Sequence, residues 1–286
     1  MKAVTLDADD SGVAVITLNA AESKNAWSPE LERAFYDVLR TADRDPAIRA
    51  AVLTGAGSTF CPGVGSGRLD QVAGSGVDFT GRLPFSTTLT FRKPLIAAIN
   101  GACAGAGLAQ ALMCDVRFAA ATAKFSTSFA RRGLPAEHGM SWLLPRLIGL
   151  ERATDLLLSA RVFDAREARE LGILSRVTEP NSLLNEAQAY ARDIAANCAP
   201  ESVALIKGQI LADLDATYAA ALDRAYRATV HASRQPTFRE GIDAFIGKRP
   251  PNFPALDPDF DPAALLGAPL PAIVVDPGAA NRSHSE

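Results

Sequence analysis

The sequence predicts an α/β fold with an all-helical C-terminal part. Two observations carry that reading. Compact apolar runs alternate with helix-period segments near residues 13–43, 50–80, 94–113 and 116–158, a loose repeat of strands and helices. From Ser182 to about Phe245 the apolar spacing is helical throughout.

The elements follow in order. Met1 to Asp7 begins a strand pattern, and Val13-Ala14-Val15-Ile16-Thr17-Leu18 is a clear strand. Ser28-Pro29-Glu30 is a helix start: a capping hydroxyl, a fixed φ at the first position and an acid matching the dipole. Leu31, Phe35, Val38 and Leu39 then bury one face. The run Ala50-Ala51-Val52-Leu53-Thr54 leads to a glycine-bearing turn, Phe60-Cys61-Pro62-Gly63-Val64. Residues 66–92 are Gly/Ser-rich and weakly periodic, which predicts a mobile loop with one short helix. A second apolar run, Pro94 to Ile99, leads to a second glycine turn over Asn100–Gly107, and a buried helix is expected from Ala106 to Met113. Short strands are expected at 116–120 and 124–126, helices from Trp142 to Leu171, and a short strand over 172–177. Three units result: a core at 1–199, a helical region at 200–253, and a Pro-rich tail at 254–286 expected to be extended or disordered.

The chain has 286 residues, 48% of them apolar and 21% charged, with a formal net charge of −3. Mixed charge of this kind gives no support for binding nucleic acid or a membrane surface. No apolar stretch reaches the roughly 20 residues of a membrane span, and the N-terminus does not read as a signal peptide. The expected location is the cytoplasm. The four cysteines form no C-x-x-C and the three histidines are scattered, so no metal site is expected. Arg92 and Lys93 could meet phosphates or merely flank a strand.

The two glycine turns carry the chemistry. Glycine after a strand lets backbone approach a ligand closely, and two such turns can aim two N–H groups at one point, the minimal device for holding an oxyanion. Other readings of these glycines fail. Gly105-Ala106-Gly107 lacks the third glycine of a dinucleotide fingerprint, since Gln110 stands there. Gly63-Val64-Gly65-Ser66-Gly67 is out of register with a nucleophile elbow.

Taken in order, Phe60-Cys61-Pro62-Gly63-Val64, Asn100-Gly101-x-x-x-Gly105-Ala106-Gly107 and Cys114-Asp115-Val116-Arg117-Phe118-Ala119 resemble the crotonase, or enoyl-CoA hydratase/isomerase, superfamily. Lys24-Asn25-Ala26, Trp142 to Leu147 and Glu240 to Phe253 extend the resemblance over about residues 1–253. It implies a spiral of ββα units followed by a helical trimerisation region, assembled as a homo-trimer or a dimer of trimers. It implies an acyl-CoA substrate, with coenzyme A part of that substrate and no separate cofactor. Matched residue by residue, the oxyanion donors are the N–H groups of Val64 and Ala106. Lys24, Ala26 and Pro62 fall at the coenzyme A site, and Lys248 matches a lysine that reaches the coenzyme A of a neighbouring subunit.

The chain departs from the pattern where typical hydratases carry two glutamates: Ala109 and Phe129 stand there, and neither moves a proton. Glu137 lies where dienoyl-CoA isomerases and ring-opening epoxide isomerases carry an aspartate. A loop carboxylate beside an apolar pocket has its pKa raised by desolvation, which suits proton abstraction α or γ to a thioester. The plainer reading of Glu137 is a solvated loop charge. Its neighbour His138 could hydrogen-bond water or substrate or pack beneath the loop, the latter being favoured; Trp142 is expected to belong to the core, and Asp115 to brace backbone near the second turn. The expected chemistry is an isomerase-like double-bond shift with Glu137 as acid/base. The alternatives are hydration through the same carboxylate and acyl-CoA binding without catalysis.

Overall fold

The computed structural model describes residues 2–76, 78 and 80–268. Ten strands are present among them: β1 (Val4–Ala8), β2 (Val13–Leu18), β3 (Ala50–Gly55), β4 (Thr59–Cys61), β5 (Leu95–Ile99), β6 (Ala102–Ala104), β7 (Val116–Ala120), β8 (Lys124–Ser126), β9 (Phe163–Asp164) and β10 (Arg176–Thr178). The helices are α1 (Pro29–Arg44), α2 (Ser66–Ser75), α3 (Ala106–Met113), α4 (Met140–Ile148), α5 (Leu150–Ser159), α6 (Ala165–Glu170), α7 (Leu183–Asn197), α8 (Pro200–Asp213), α9 (Tyr218–Ala232), α10 (Pro236–Gly247) and α11 (Pro262–Leu266).

The strands form two sheets, ordered β1-β2-β3-β5-β7-β10 and β4-β6-β8-β9. From β3 onward the chain steps from the first sheet to the second and back: β3 then β4, β5 then β6, β7 then β8. Each step is a ββ unit, and α2 and α3 close the first two, so the chain winds as a spiral. The pairings inside the spiral are parallel, with antiparallel pairs only at β1–β2 and β8–β9. Buried on both faces, β3 and β5 read as continuous apolar runs, as parallel strands do.

Helix α1 starts as its sequence demands, with the Ser28 hydroxyl accepting from Leu31 N–H at 3.1 Å and Pro29 in the first turn. It packs Leu31, Phe35 and Leu39 into the main core, each contributing roughly 1.5–3 kcal/mol by burial. Helix α3 is buried on every side. That is why it begins so close to β6: its N-terminal backbone is a core feature rather than a surface one.

Three expectations change. Residues 66–92 hold a ten-residue helix, α2, and a 3-10 turn at Phe85–Thr90. Asn25 and Arg92 act as staples. The Asn25 side chain donates to Ala56 and Thr59 carbonyls and accepts from Ala20 N–H. Arg92 pairs with Asp43 at 2.7 Å and donates to Phe260 O, while Lys93 is buried and donates to Ala42 and Asp45 carbonyls. Their charges are committed to the fold instead of a phosphate. The first part of the Pro-rich tail, residues 254–268, is tied to the rest of the chain. It is held by Arg92 and by Arg44 on Asp259, and it ends in α11, whose Leu266 is fully buried against Leu205 and Ala228. Residues 269–286 lie outside the described residues.

The two sheets meet tightly at the glycine turns. A Cβ on Gly107 would stand 2.1 Å from the Cys61 carbonyl oxygen. Gly107→Ala is therefore expected to destabilise the protein by about 2–3 kcal/mol through overpacking, read as a lower unfolding midpoint in urea. Leu266→Ala is expected to cost about 2–5 kcal/mol. An unchanged midpoint in that variant would contradict the docking of the tail segment.

Candidate active site

The two glycine turns lie side by side. Strands β4 and β6 pair in parallel, Cys61 opposite Cys103, so the residues that follow them leave the sheet side by side. Gly63 takes φ +92°, and a Cβ there would lie 2.9 Å from Ala104 O and 3.6 Å from Ala106 N. Only glycine allows this approach.

Hydrogen bonds on the carbonyl side fix the Gly63–Val64 and Gly105–Ala106 peptides. Gly63 O accepts from Trp27 N–H at 2.8 Å, and Gly105 O accepts from Ala109 N–H at 2.9 Å. In a trans peptide the next N–H points opposite to the carbonyl, so these bonds set the directions of Val64 N–H and Ala106 N–H. Neither N–H donates to a backbone carbonyl among the described residues. Ala106 opens α3, where a first-turn N–H has no intrahelical acceptor and the dipole favours negative charge.

A cavity of about 630 Å³ lies nearby. Glu137, His138, Phe85, Trp142, Leu143 and Met113 line it, together with Glu32, Arg82 and Asp215. It adjoins a second apolar space of about 600 Å³ through shared walls at Leu89, Met113, Trp142 and Leu143. Val64 and Ala106 are not in the cavity wall. The link between them is Phe129, whose ring lies 3.9 Å from a Cβ position on Gly105 and 6.3 Å, centroid to centroid, from His138.

Burial raises the Glu137 carboxyl above its ordinary range, and the Arg82 guanidinium works against that rise. His138 stacks on Phe85 at 3.8 Å with φ +55°. Burial pushes its pKa down to about 4, so at neutral pH it is an uncharged imidazole. Ala109 and Phe129 are both buried, which leaves Glu137 as the nearby carboxylate that burial has tuned.

The other predicted residues divide. Ala26 sits beside the first turn, its Cβ 3.5 Å from a Cβ position on Gly65. Lys24 and Asn25 both take left-handed backbone, Lys24 exposed and Asn25 buried. Pro62 is half-buried ahead of Gly63. Lys248 is exposed at the C-cap of α10, outside both cavities. Asp115 braces backbone as expected, accepting from Leu95 N–H at 2.7 Å and pairing with Lys207. Trp142 differs from expectation: it is half-buried in the cavity wall, with Arg146 4.2 Å over its ring.

Sequence reading missed Glu32, Arg82 and Phe85. Glu32 looks like an ordinary first-turn acid of α1, yet it is buried and pairs with Arg82 at 2.6 Å. Its one signal is position: it lies between Leu31 and Phe35, on the buried face of α1. Among the described residues no group of three or more His, Cys, Asp or Glu could hold a metal, and no helix is long and apolar enough to cross a membrane.

Residues 8–255 match the family described as enoyl-CoA hydratase/isomerase. The chain belongs to that family. It is an enzyme of it, built on the crotonase fold. The 1,2-epoxyphenylacetyl-CoA isomerase of Escherichia coli K12 is 35% identical over 257 residues, covering 85% of this chain and 95% of that one. A crystal structure of an enoyl-CoA hydratase from Polaromonas sp. JS666 superposes with a TM-score of 0.82 at 31% identity, covering 87% of this chain and 99% of that one. An enoyl-CoA hydratase structure from Mycobacterium marinum is 49% identical, covers 74% of this chain and 98% of its own, and has a TM-score of 0.65.

The perturbed histidine makes stability pH-dependent. Unfolded His138 binds a proton near 6.5 and the folded residue only near 4, so stability falls as pH drops through that window. Between pH 7 and pH 5 the loss is on the order of 2 kcal/mol from this group. The raised Glu137 carboxyl works in the opposite sense, because its folded form takes up a proton first. His138→Asn, which tolerates left-handed backbone, is expected to flatten the acid-side decline in urea unfolding.

Proposed function

We propose that this enzyme polarises the carbonyl of an acyl-CoA thioester with Val64 N–H and Ala106 N–H and shifts a proton on the acyl chain with Glu137, in an isomerase-like double-bond migration. The observation that carries the reading is the pair of adjacent donor peptides, each fixed by a bond to its carbonyl, beside a cavity holding a carboxylate raised by burial.

Charge bookkeeping is simple. Glu137 carboxylate removes an α or γ proton, and the C–H electron pair moves into the conjugated system. The thioester oxygen gains the negative charge, and the two N–H groups bind it more strongly than the ground-state carbonyl. Return of the proton at another carbon completes the shift. One carboxylate serves both steps, which suits a site where the hydratase glutamate positions hold Ala109 and Phe129. Hydration is the second reading, supported by the uncharged His138 beside Glu137 as a group able to hold water and by the relatives named as hydratases. A relative named as an isomerase of an epoxide thioester fits the first reading.

Lys24, Ala26 and Pro62 are proposed to meet coenzyme A, and Lys248 to reach that of a neighbouring subunit. Assembly as a trimer or dimer of trimers is supported by apolar side chains exposed on α8–α10, among them Ile206, Ile210, Val230, Phe245 and Ile246. Free thiols at Cys61, Cys103, Cys114 and Cys198 fit a reducing cytoplasm.

Glu137→Gln is expected to lower kcat roughly 100- to 10,000-fold on an enoyl-CoA panel of varied chain length. Wild-type turnover should fall as pH drops through a value above the ordinary carboxylate range, because the base must be ionised. Unchanged turnover in the variant would remove Glu137 from the mechanism. Saturable acyl-CoA binding by a wild type without turnover would make the protein a binder.

A further inference from the structure

We propose that the ion pair between buried Glu32 and half-buried Arg82 is a positioning element that couples the two halves of the site: through Trp27 it holds the Val64 donor, and through the cavity wall it governs the electrostatics around Glu137. The inference rests on the reading of Val64, Ala106 and Glu137 given above.

The geometric chain is short. Arg82 grips Glu32 with two bonds, Nε to Oε1 at 2.9 Å and Nη2 to Oε2 at 2.6 Å. Glu32 Oε2 also accepts from Trp27 Nε1 at 2.9 Å. Trp27 is itself buried, packed on Phe35 and Phe85, and its backbone N–H holds Gly63 O. The indole therefore anchors the residue that sets the plane of the Gly63–Val64 peptide. A planar two-point guanidinium–carboxylate grip resists rotation in a way a single bond does not.

The same pair faces the base. Glu32, Arg82, Glu137 and His138 share one cavity wall. The charged and titratable groups that share the cavity wall with Glu137 are Glu32 from α1, Arg82 from the loop after α2, His138 beside it, and Asp215 after α8, itself paired with Arg146 of α4; Tyr36 and Asp78 act on Arg82. Arg82 acts on both Glu137 and His138, and at His138 the opposing effect of Glu32 is the larger of the two. Losing the guanidinium would strip Glu137 of its counter-charge and the Trp27 anchor of its clamp at once.

The test uses the full chain and acetoacetyl-CoA, a β-ketothioester whose enolate absorbs in the near ultraviolet apart from the keto form. The oxyanion grip is then read without turnover. Wild type is expected to bind it and enrich the enolate. Glu32→Gln is expected to lower the bound enolate-to-keto ratio at least about five-fold on the plateau above the midpoint, where Glu137 is ionised and internal proton transfer from substrate to Glu137 no longer depends on pH, with binding of coenzyme A unchanged within two-fold. Arg82→Gln is expected to do the same and to move the pH midpoint of the enolate band upward by about half a unit or more. Arg82→Lys, which keeps the charge but not the two-point grip, should restore the midpoint and not the ratio. The double variant Glu32→Gln/Arg82→Gln, which leaves no unpaired buried charge, gives the ratio if Arg82→Gln fails to fold.

Wild-type ratios and midpoints in these variants would overturn the inference while leaving the oxyanion reading in place. A parallel loss of coenzyme A binding with no movement of the midpoint would mark the pair as merely structural, and would also overturn it. A wild type with no saturable site for acetoacetyl-CoA would sink the oxyanion reading and this inference together. A Glu137→Gln protein whose midpoint still responds to Arg82→Gln would overturn the link to Glu137 alone.

Discussion

The close parallel contact between β4 and β6 is the constraint on which the rest depends. It brings Gly63 against Ala104 and Gly107 against Cys61 with no room for a side chain. Two peptide groups that are forty residues apart in sequence thereby become neighbours. Nothing softer than backbone packing would hold two N–H groups in fixed relation, and fixed donors are what stabilise developing charge without reorganisation.

The surrounding structure keeps that contact in place. The spiral alternates strands between two sheets, so each first-sheet strand delivers its partner turn to the same edge. Asn25 ties Ala20, Ala56 and the first residue of β4 together around the first turn. Asp115 accepts from Leu95 N–H at the start of β5, the strand that leads into the second turn, and Lys207 of α8 pairs with it. The helical region is thus joined to the core by a charge pair as well as by apolar packing. Residues 254–268 return from α10 to lie along α8 and α1, which makes the tail segment part of the same body.

Beside this rigid frame lies a polar, partly buried wall. Burial does opposite things to adjacent side chains there: it holds a proton on Glu137 more tightly and strips one from His138. Both shifts follow from the cost of burying charge. A carboxylate raised toward neutrality and an uncharged imidazole beside it differ from the two-glutamate arrangement whose positions are taken by Ala109 and Phe129.

The sequence by itself determined the long elements and the family. Strands β2, β3 and β5 are nearly continuous apolar runs, α1 carries its own start signal, and the ordered glycine motifs mark the two turns. It could not show the second sheet, because β4, β6 and β9 are two or three residues long and too short to carry a period. Nor could it show the docking of residues 254–268, since prolines hide an anchored segment as readily as a loose one. Glu32 and Arg82 were invisible as a pair. They are fifty positions apart, one looks like a helix-cap acid, and the other lies in a stretch without periodicity. Local pattern reports which backbone conformation a segment favours; only tertiary packing decides which charges meet, because that depends on contacts between residues far apart in sequence.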